Sequence, residues 1–431
     1  MRKGVIKVNI LLIGNGFDLA HGLPTHYDDF LKFGEKCKHI FTYVKEKTKE
    51  EYARIDLEDW EIDNSIKKAL ELAFGGRNIK KQPQGDGSYI MHVHTDNYAI
   101  NEIYSLIKEN AWFEYFCATE KYMGANWIDF ESEISTVIKI LNEVRDLIYA
   151  EESIKDIARG KSEVLVRLIK TSTGSLMAAF RNKSYVDNYI LRLEKDLNRL
   201  IRALEIYLTE FVGKIEIQSK IKEIEELSID RVLSFNYTDT YEKQYGQGRR
   251  VDYNYIHGVA QKDSNIKANN MVIGIDEYLE GDARDKDIAF IGFKKYYQRI
   301  LKATSSNYLD WLDIIQEDYE TAMLKADHFK GSIGMEHRKA KPSDFACSST
   351  LYVFGHSLDV TDGDILRKLI CNDNIRTKIF YYREYEDDKR TLANLIKNLV
   401  KVIGMDELVR RTGGETRTIE FLPQSVAEQR E

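Results

Sequence analysis

Val5-Ile6-Lys7-Val8-Asn9-Ile10-Leu11-Leu12-Ile13-Gly14-Asn15-Gly16-Phe17-Asp18 is the stretch on which the reading of this chain turns. Its apolar residues do not alternate with polar ones, the pattern of a strand buried on both faces. The run ends in a glycine turn and then enters a helical segment. In parallel α/β folds such a turn brings backbone amides close to a dinucleotide phosphate, and the helix that follows adds its positive end. The same residues also suit a tight strand-to-helix turn without a ligand. Asp18 either caps the helix or faces the ligand.

Further strand-like segments follow at Arg231–Phe235, Tyr253–Ile256, Met271–Ile273, Thr350–Phe354, Thr377–Tyr382 and Thr418–Phe421. Helical patterns lie between several of them, notably Asp364–Cys371 and Lys389–Val402, and strands alternating with helices imply a mainly parallel sheet. The expected fold is therefore α/β and Rossmann-like, split in sequence into residues 1–35 and 228–431, with residues 36–227 a large helical insertion. Within the insertion Ile190, Leu193, Leu197, Leu200, Leu204, Tyr207 (or Leu208) and Phe211 form an apolar stripe at steps of three and four. That stripe suits either a buried bundle helix or a seam between two copies of the chain. Lys80 to Gly87 is polar and glycine-containing and reads as a mobile surface loop.

With 431 residues, 43% hydrophobic and 31% charged, the chain is an ordinary globular protein of roughly two to three domains. A net charge of −7 argues against a nucleic-acid-coating protein. No apolar run reaches the ~20 residues of a membrane span, and the N-terminal apolar segment reads as a core strand rather than a signal peptide. Cys37, Cys117, Cys347 and Cys371 are dispersed without a C-x-x-C pair, so neither a zinc ribbon nor a disulfide framework is indicated and a reducing cytoplasm is expected. His92-Val93-His94 is a metal-like pair with no further ligands nearby, and no metal is expected.

Three strand ends carry similar chemistry. Asn236 ends Arg231–Phe235, His257-Gly258 ends Tyr253–Ile256, and Gly355-His356-Ser357 ends Thr350–Phe354. Open α/β sheets bind ligands at such ends. For each a structural role is the competing reading, as a turn Asn or a strand-end His. Trp127-Ile128-Asp129-Phe130-Glu131 opens an amphipathic helix whose acidic first turn complements the helix dipole.

Leu12 to Thr25, Trp127 to Glu131, Ser234 to Thr238, Tyr255 to Gly258 and Phe354 to Asp359 together resemble the bacteriophage abortive-infection family AbiH, which is in turn distantly similar to sirtuin-like NAD-binding domains. The resemblance implies an anti-phage effector that hydrolyses the nicotinamide–ribose bond of NAD, with NAD as substrate. Asn236 would orient ribose or water and His257 would be the general base. Gly14, Asn15, Gly16, Phe17, Asp18, Thr25, Asp239, Gly355, His356 and Ser357 would contact the dinucleotide. Phe17 and Asp18 stand where small residues are usual, and the missing zinc ribbon weighs against a deacylase. Expected partners are a second copy of the chain and a phage trigger protein or defence subunit, with no membrane. A nucleotide-binding sensor or scaffold without turnover is the alternative from a different class.

Overall fold

The structure is a computed structural model that describes residues 7–41, 64, 67, 78–83, 89–94, 97–119, 130–150, 159–170, 182–276, 288–332, 349–414 and 417–425. Its strands in chain order are β1 (Asn9–Ile13), β2 (Asn78–Pro83), β3 (Tyr89–His94), β4 (Arg231–Ser234), β5 (Asp252–Tyr255), β6 (Ser349–Phe354), β7 (Ile375–Tyr381) and β8 (Ile419–Pro423). The chain divides into two compact units, residues 1–23, 217–259 and 304–431 in one and residues 24–216 and 260–303 in the other.

The first unit is built on a six-stranded sheet in the order β5-β4-β1-β6-β7-β8, with every pairing parallel. Within the unit this is the doubly wound order in which the first strand is central and the chain winds out to either side. Ile10 pairs with Arg231 on one flank of β1 and with Leu351 on the other. Ile10 and Leu12 pack with Leu233, Trp311, Leu366 and Leu399 on one face. Leu11 and Ile13 pack with Phe17, Val232, Tyr241 and Phe354 on the other. Burial on both faces is why β1 carries no polar alternation. The architecture is α/β, a Rossmann-like parallel sheet interrupted by a mostly helical insertion.

One expected strand is not one. Met271–Ile273 is fully buried but extends no ladder. Side chains take the ladder's place, because Ile273 N–H donates to Gln298 Oε1 at 3.2 Å and Gln298 Nε2 donates to Ile273 O at 2.8 Å. An apolar run alone does not distinguish a buried strand from a buried irregular segment whose polar groups are met this way.

The second unit contains the helices Tyr27–Phe41, Tyr98–Ile107, Ala111–Cys117, Phe130–Tyr149, Arg159–Lys170, Lys183–Glu210 and Lys295–Leu301, together with an antiparallel β2–β3 hairpin. Lys80–Pro83, expected in a loop, therefore belong to strand β2, and residues 84–88 lie outside the described residues. The Asp86-Gly87 pair before the β-prone run Tyr89–Val93 is a hairpin signal. Every stripe residue from Ile190 to Phe211 is buried. The stripe helix is fastened to its own unit: Trp112 Nε1 donates to Leu193 O at 2.8 Å, and Asn110 Nδ2 donates to Asp196 O at 2.8 Å. The stripe is bundle core, not a seam between copies.

Residues 24–35 and 260–303, expected in the α/β unit, group with the helices. Tyr207 Oη donates to Pro24 O at 2.9 Å, and its ring lies 5.0 Å from that of Phe33. Gln261 N–H donates to the buried Glu205 at 3.1 Å, and Lys295 pairs with Glu131 at 2.7 Å. Glu131 is thereby an ion-pair partner rather than only a first-turn acid. Trp127, Ile128 and Asp129 lie outside the described residues. No helix among the described residues is long and apolar enough to cross a membrane.

Candidate active site at the strand ends of the parallel sheet

Because the six strands are parallel, the segments leaving β1, β4, β5 and β6 emerge on one side of the sheet. The glycine turns after β1 and β6 interlock there. Gly14 N–H donates to Phe354 O at 3.2 Å, and Gly16 N–H donates to Gly355 O at 2.8 Å. A Cβ on Gly14 or Gly16 would lie 2.8 Å from backbone atoms of Gly355 or His356. The small residues are needed because one backbone lies on another. Phe17 N–H donates to Gly14 O at 2.8 Å. The amides of Gly14, Gly16 and Phe17 are thus all engaged within the two turns, and a phosphate at this place would have to be met by other donors.

The helix Asn15–Ala20 has Gly14 at its N-cap and no side-chain capping bond, so Asp18 is not a cap. Its side chain is buried. Oδ2 accepts from Asn236 Nδ2 at 3.1 Å and from Thr238 Oγ1 at 2.6 Å. Burial pushes the Asp18 carboxyl up to about 6, against the opposing pull of the Thr238, Thr240 and Asn236 donors and with a further push from Asp239. Asp18 Oδ1 and Asn236 Oδ1 have no hydrogen-bond partner among the described residues. Two buried acceptor oxygens on hydrogen-bonded neighbours are a place for a ligand or water that presents hydrogen-bond donors.

The raised Asp18 pKa has a stability consequence with a definite sign. As pH rises, the unfolded side chain ionises first, near the ordinary aspartate value of 3.8, and the folded one only near 6. The folded state therefore binds more protons in that window and loses stability as pH rises through it, by about 3 kcal/mol in all. Asp18→Asn, which cannot ionise, is expected to be more stable than the parent by about 2–3 kcal/mol at pH 7.5. The gain should vanish below about pH 3, where the carboxyl is neutral in both states. Urea unfolding midpoints at the two pH values check this, and an equal gain at both would assign the effect to packing instead.

His257 and His356 flank the Phe235 ring, with centroids 5.5 and 4.4 Å away in edge contacts. Between the two imidazoles lies Asp362. Its Oδ1 is 3.3 Å from His257 Nε2 and its Oδ2 is 3.6 Å from His356 Nε2. Leu358 N–H donates to His356 Nδ1 at 2.9 Å. None of Asp18, Asn236, His257, His356 and Asp362 is more than 8% exposed, so their charge interactions are little screened by water. The strand ends thus carry two groups, Asp18 with Asn236 and Thr238, and two imidazoles that share the Asp362 carboxylate. These are the components of general acid–base chemistry.

The remaining sequence candidates fall elsewhere. Phe17 is core, its ring 4.5 Å from His21 and 6.0 Å from Phe354. Asn15 is half-buried, and Ser357 is exposed with its carbonyl accepting from Asn398 Nδ2 at 2.9 Å. Asp239 sits at the N-cap of the Thr240–Tyr245 helix and pairs with Lys243 at 2.8 Å. Thr25 belongs to the second unit. Three contributors were not singled out in the sequence: Thr238, Asp362 and His21. His21 Nδ1 donates to Phe17 O at 2.7 Å and Nε2 accepts from Tyr245 Oη at 2.8 Å, which anchors the helix bearing Asp18. Burial lowers the His21 pKa, in keeping with a neutral ring in that bridge.

No curated protein and no solved structure matches the chain. The family model for Bacteriophage abortive infection AbiH matches residues 10–382, a span that includes every residue of the cluster just described. This chain belongs to the bacteriophage abortive infection AbiH family.

Proposed function

We propose that this protein serves abortive infection by hydrolysing the nicotinamide–ribose bond of NAD. The observation that carries the reading is the hydrogen bond between Asp18 and Asn236, 218 residues apart in sequence, at the strand ends of a doubly wound parallel sheet, where the chain also carries the buried His257. Ligands of such sheets bind outside the carboxyl ends of the strands. The unmatched oxygens of Asp18 and Asn236 suit the hydroxyl donors of a ribose or the attacking water.

In this mechanism nicotinamide leaves with the electron pair of the glycosidic bond, and an oxocarbenium-like ribose remains. Water attacks the anomeric carbon and passes a proton to His257, so that NAD and water give nicotinamide, ADP-ribose and a proton. The Asp18 carboxylate favours the cationic ribose electrostatically. Asn236 places the ribose or the water and carries no proton, since an amide does not titrate in the useful range.

Purified protein incubated with NAD is expected to release free nicotinamide, which chromatography reads directly. Binding of NAD without nicotinamide release would favour a nucleotide-sensing scaffold instead. Asn236→Ala is expected to lower turnover about a hundredfold, since one positioned polar contact to a transition state contributes about 3 kcal/mol. Affinity for intact NAD should weaken far less. Equal losses of binding and turnover would make Asn236 a general affinity residue, and no loss of either would make it a turn residue.

A further inference from the structure

We infer that Asp362 is the positioning carboxylate of a His257–Asp362–His356 chain, which holds His257 with its proton on Nε2 and leaves the Nδ1 lone pair as the base, while His356 is an anchor. The activity arm of the test rests on the NAD-cleaving reading; the arrangement itself does not.

The placement of Asp362 is not explained by helix capping. It occupies the N-cap of the helix Gly363–Ile370, yet its side chain makes no cap bond. Capping of the turn just before it falls to Asp359, which accepts from Thr361 N–H at 3.2 Å. Asp362 instead turns one oxygen toward each imidazole, at 3.3 and 3.6 Å. Those separations exceed ordinary hydrogen bonds, and such contacts commonly tighten when substrate binds.

The two histidines are not equivalent. His356 Nδ1 accepts from Leu358 N–H, so its lone pair is in use and its proton is on Nε2, facing Asp362. Leu358 adopts φ +55° beside this bond, a left-handed conformation that a leucine seldom takes. Strain of this kind clusters at functional sites. A ring whose lone pair is committed to a backbone amide does not serve as a general base. On His257 the nitrogen facing the acceptor-only carboxylate is Nε2, which must therefore carry the hydrogen, and Nδ1 is the basic atom. The Phe235 edge against both rings restricts their rotation.

The test uses the full-length protein with ¹⁵N-labelled histidine, comparing the parent with Asp362→Asn. In the parent, His257 should show a protonated Nε2 and a bare Nδ1, its signals assigned by their loss in His257→Gln. The carboxamide of Asp362→Asn presents a donor to Nε2, so His257 should switch to the Nδ1–H tautomer while His356 keeps its own. Turnover should fall on the order of a hundredfold. Asp359→Asn should leave both tautomers unchanged. An unswitched His257 in Asp362→Asn overturns the proposal. So does a parent His257 protonated on Nδ1, which decides the matter even if the variant does not fold. A parent that shows the expected tautomers but releases no nicotinamide would retire the NAD reading and leave the chain of three residues standing.

Discussion

Turnover of NAD by the His257→Gln variant is expected to fall by about two to four orders of magnitude, the range typical of removing a general base. Glutamine is the informative replacement because His257 is buried. Its ring packs on Phe235, and its Nε2 faces the buried Asp362. Alanine would open a cavity and take one partner from a carboxylate inside the protein, so that lost activity and lost fold would be confounded. Glutamine keeps most of the volume and keeps N–H donors, but it cannot take up a proton. The expected outcome is an unfolding midpoint close to the parent's with turnover all but gone. Activity within tenfold of the parent would place the base on another group. A large loss of stability with glutamine would give His257 a structural role.

The second large effect is on stability. Gly355→Ala is expected to destabilise the protein by about 3 kcal/mol or more. Gly355 has φ +67°, and a Cβ there would lie 2.2 Å from Phe17 N and 2.5 Å from Gly16 C. These are backbone atoms, so relief requires the turns after β1 and β6 to separate. Gly22 supplies the control: its φ is +74°, but a Cβ would meet nothing within 4 Å. Gly22→Ala should therefore cost only the conformational part, about 1 kcal/mol. Urea unfolding of both variants measures the difference. If the two cost the same, the interlock of the turns contributes nothing beyond the backbone conformation of Gly355.

The parts of the fold that were legible in the sequence are those in which burial writes directly onto composition. β1 could be read because burial on both faces forbids polar residues at either parity. The Lys183–Glu210 helix could be read because only one stripe of it is apolar. Met271–Ile273 was misread because its backbone is satisfied by Gln298, 25 residues on from Ile273, and no local pattern announces such a partner. Asn236 and His257 were legible as polar residues at strand ends. Asp362 was not: Asp359, Asp362 and Asp364 are three acids at one helix start, and only the folded chain separates the one that caps from the one that turns toward the imidazoles. Gly14 and Gly16 were legible as glycines required by close approach. What approaches them, however, is the backbone of Gly355, about 340 residues further on. Asp18 left two readings open, and the structure removes capping by burying the side chain against Asn236 and Thr238.

The central position of β1 bears on the order of events during synthesis. This strand is made early, yet its flanks are closed by chain that follows 221 and 341 residues later. At the usual ~5–20 residues per second, its second neighbour emerges tens of seconds afterwards. Most of the helical unit leaves the ribosome in that interval and has a core of its own to form. The proposed site draws on segments from before residue 19 and from after residue 350, so a nascent chain lacks it until most of the polypeptide exists. A chain cut short in translation would be without the constellation, and no partial product would carry the activity ascribed to the whole. Such late assembly also makes contacts long in sequence rate-limiting for maturation. On the proposed NAD-cleaving reading, sequence order itself then acts as a timer.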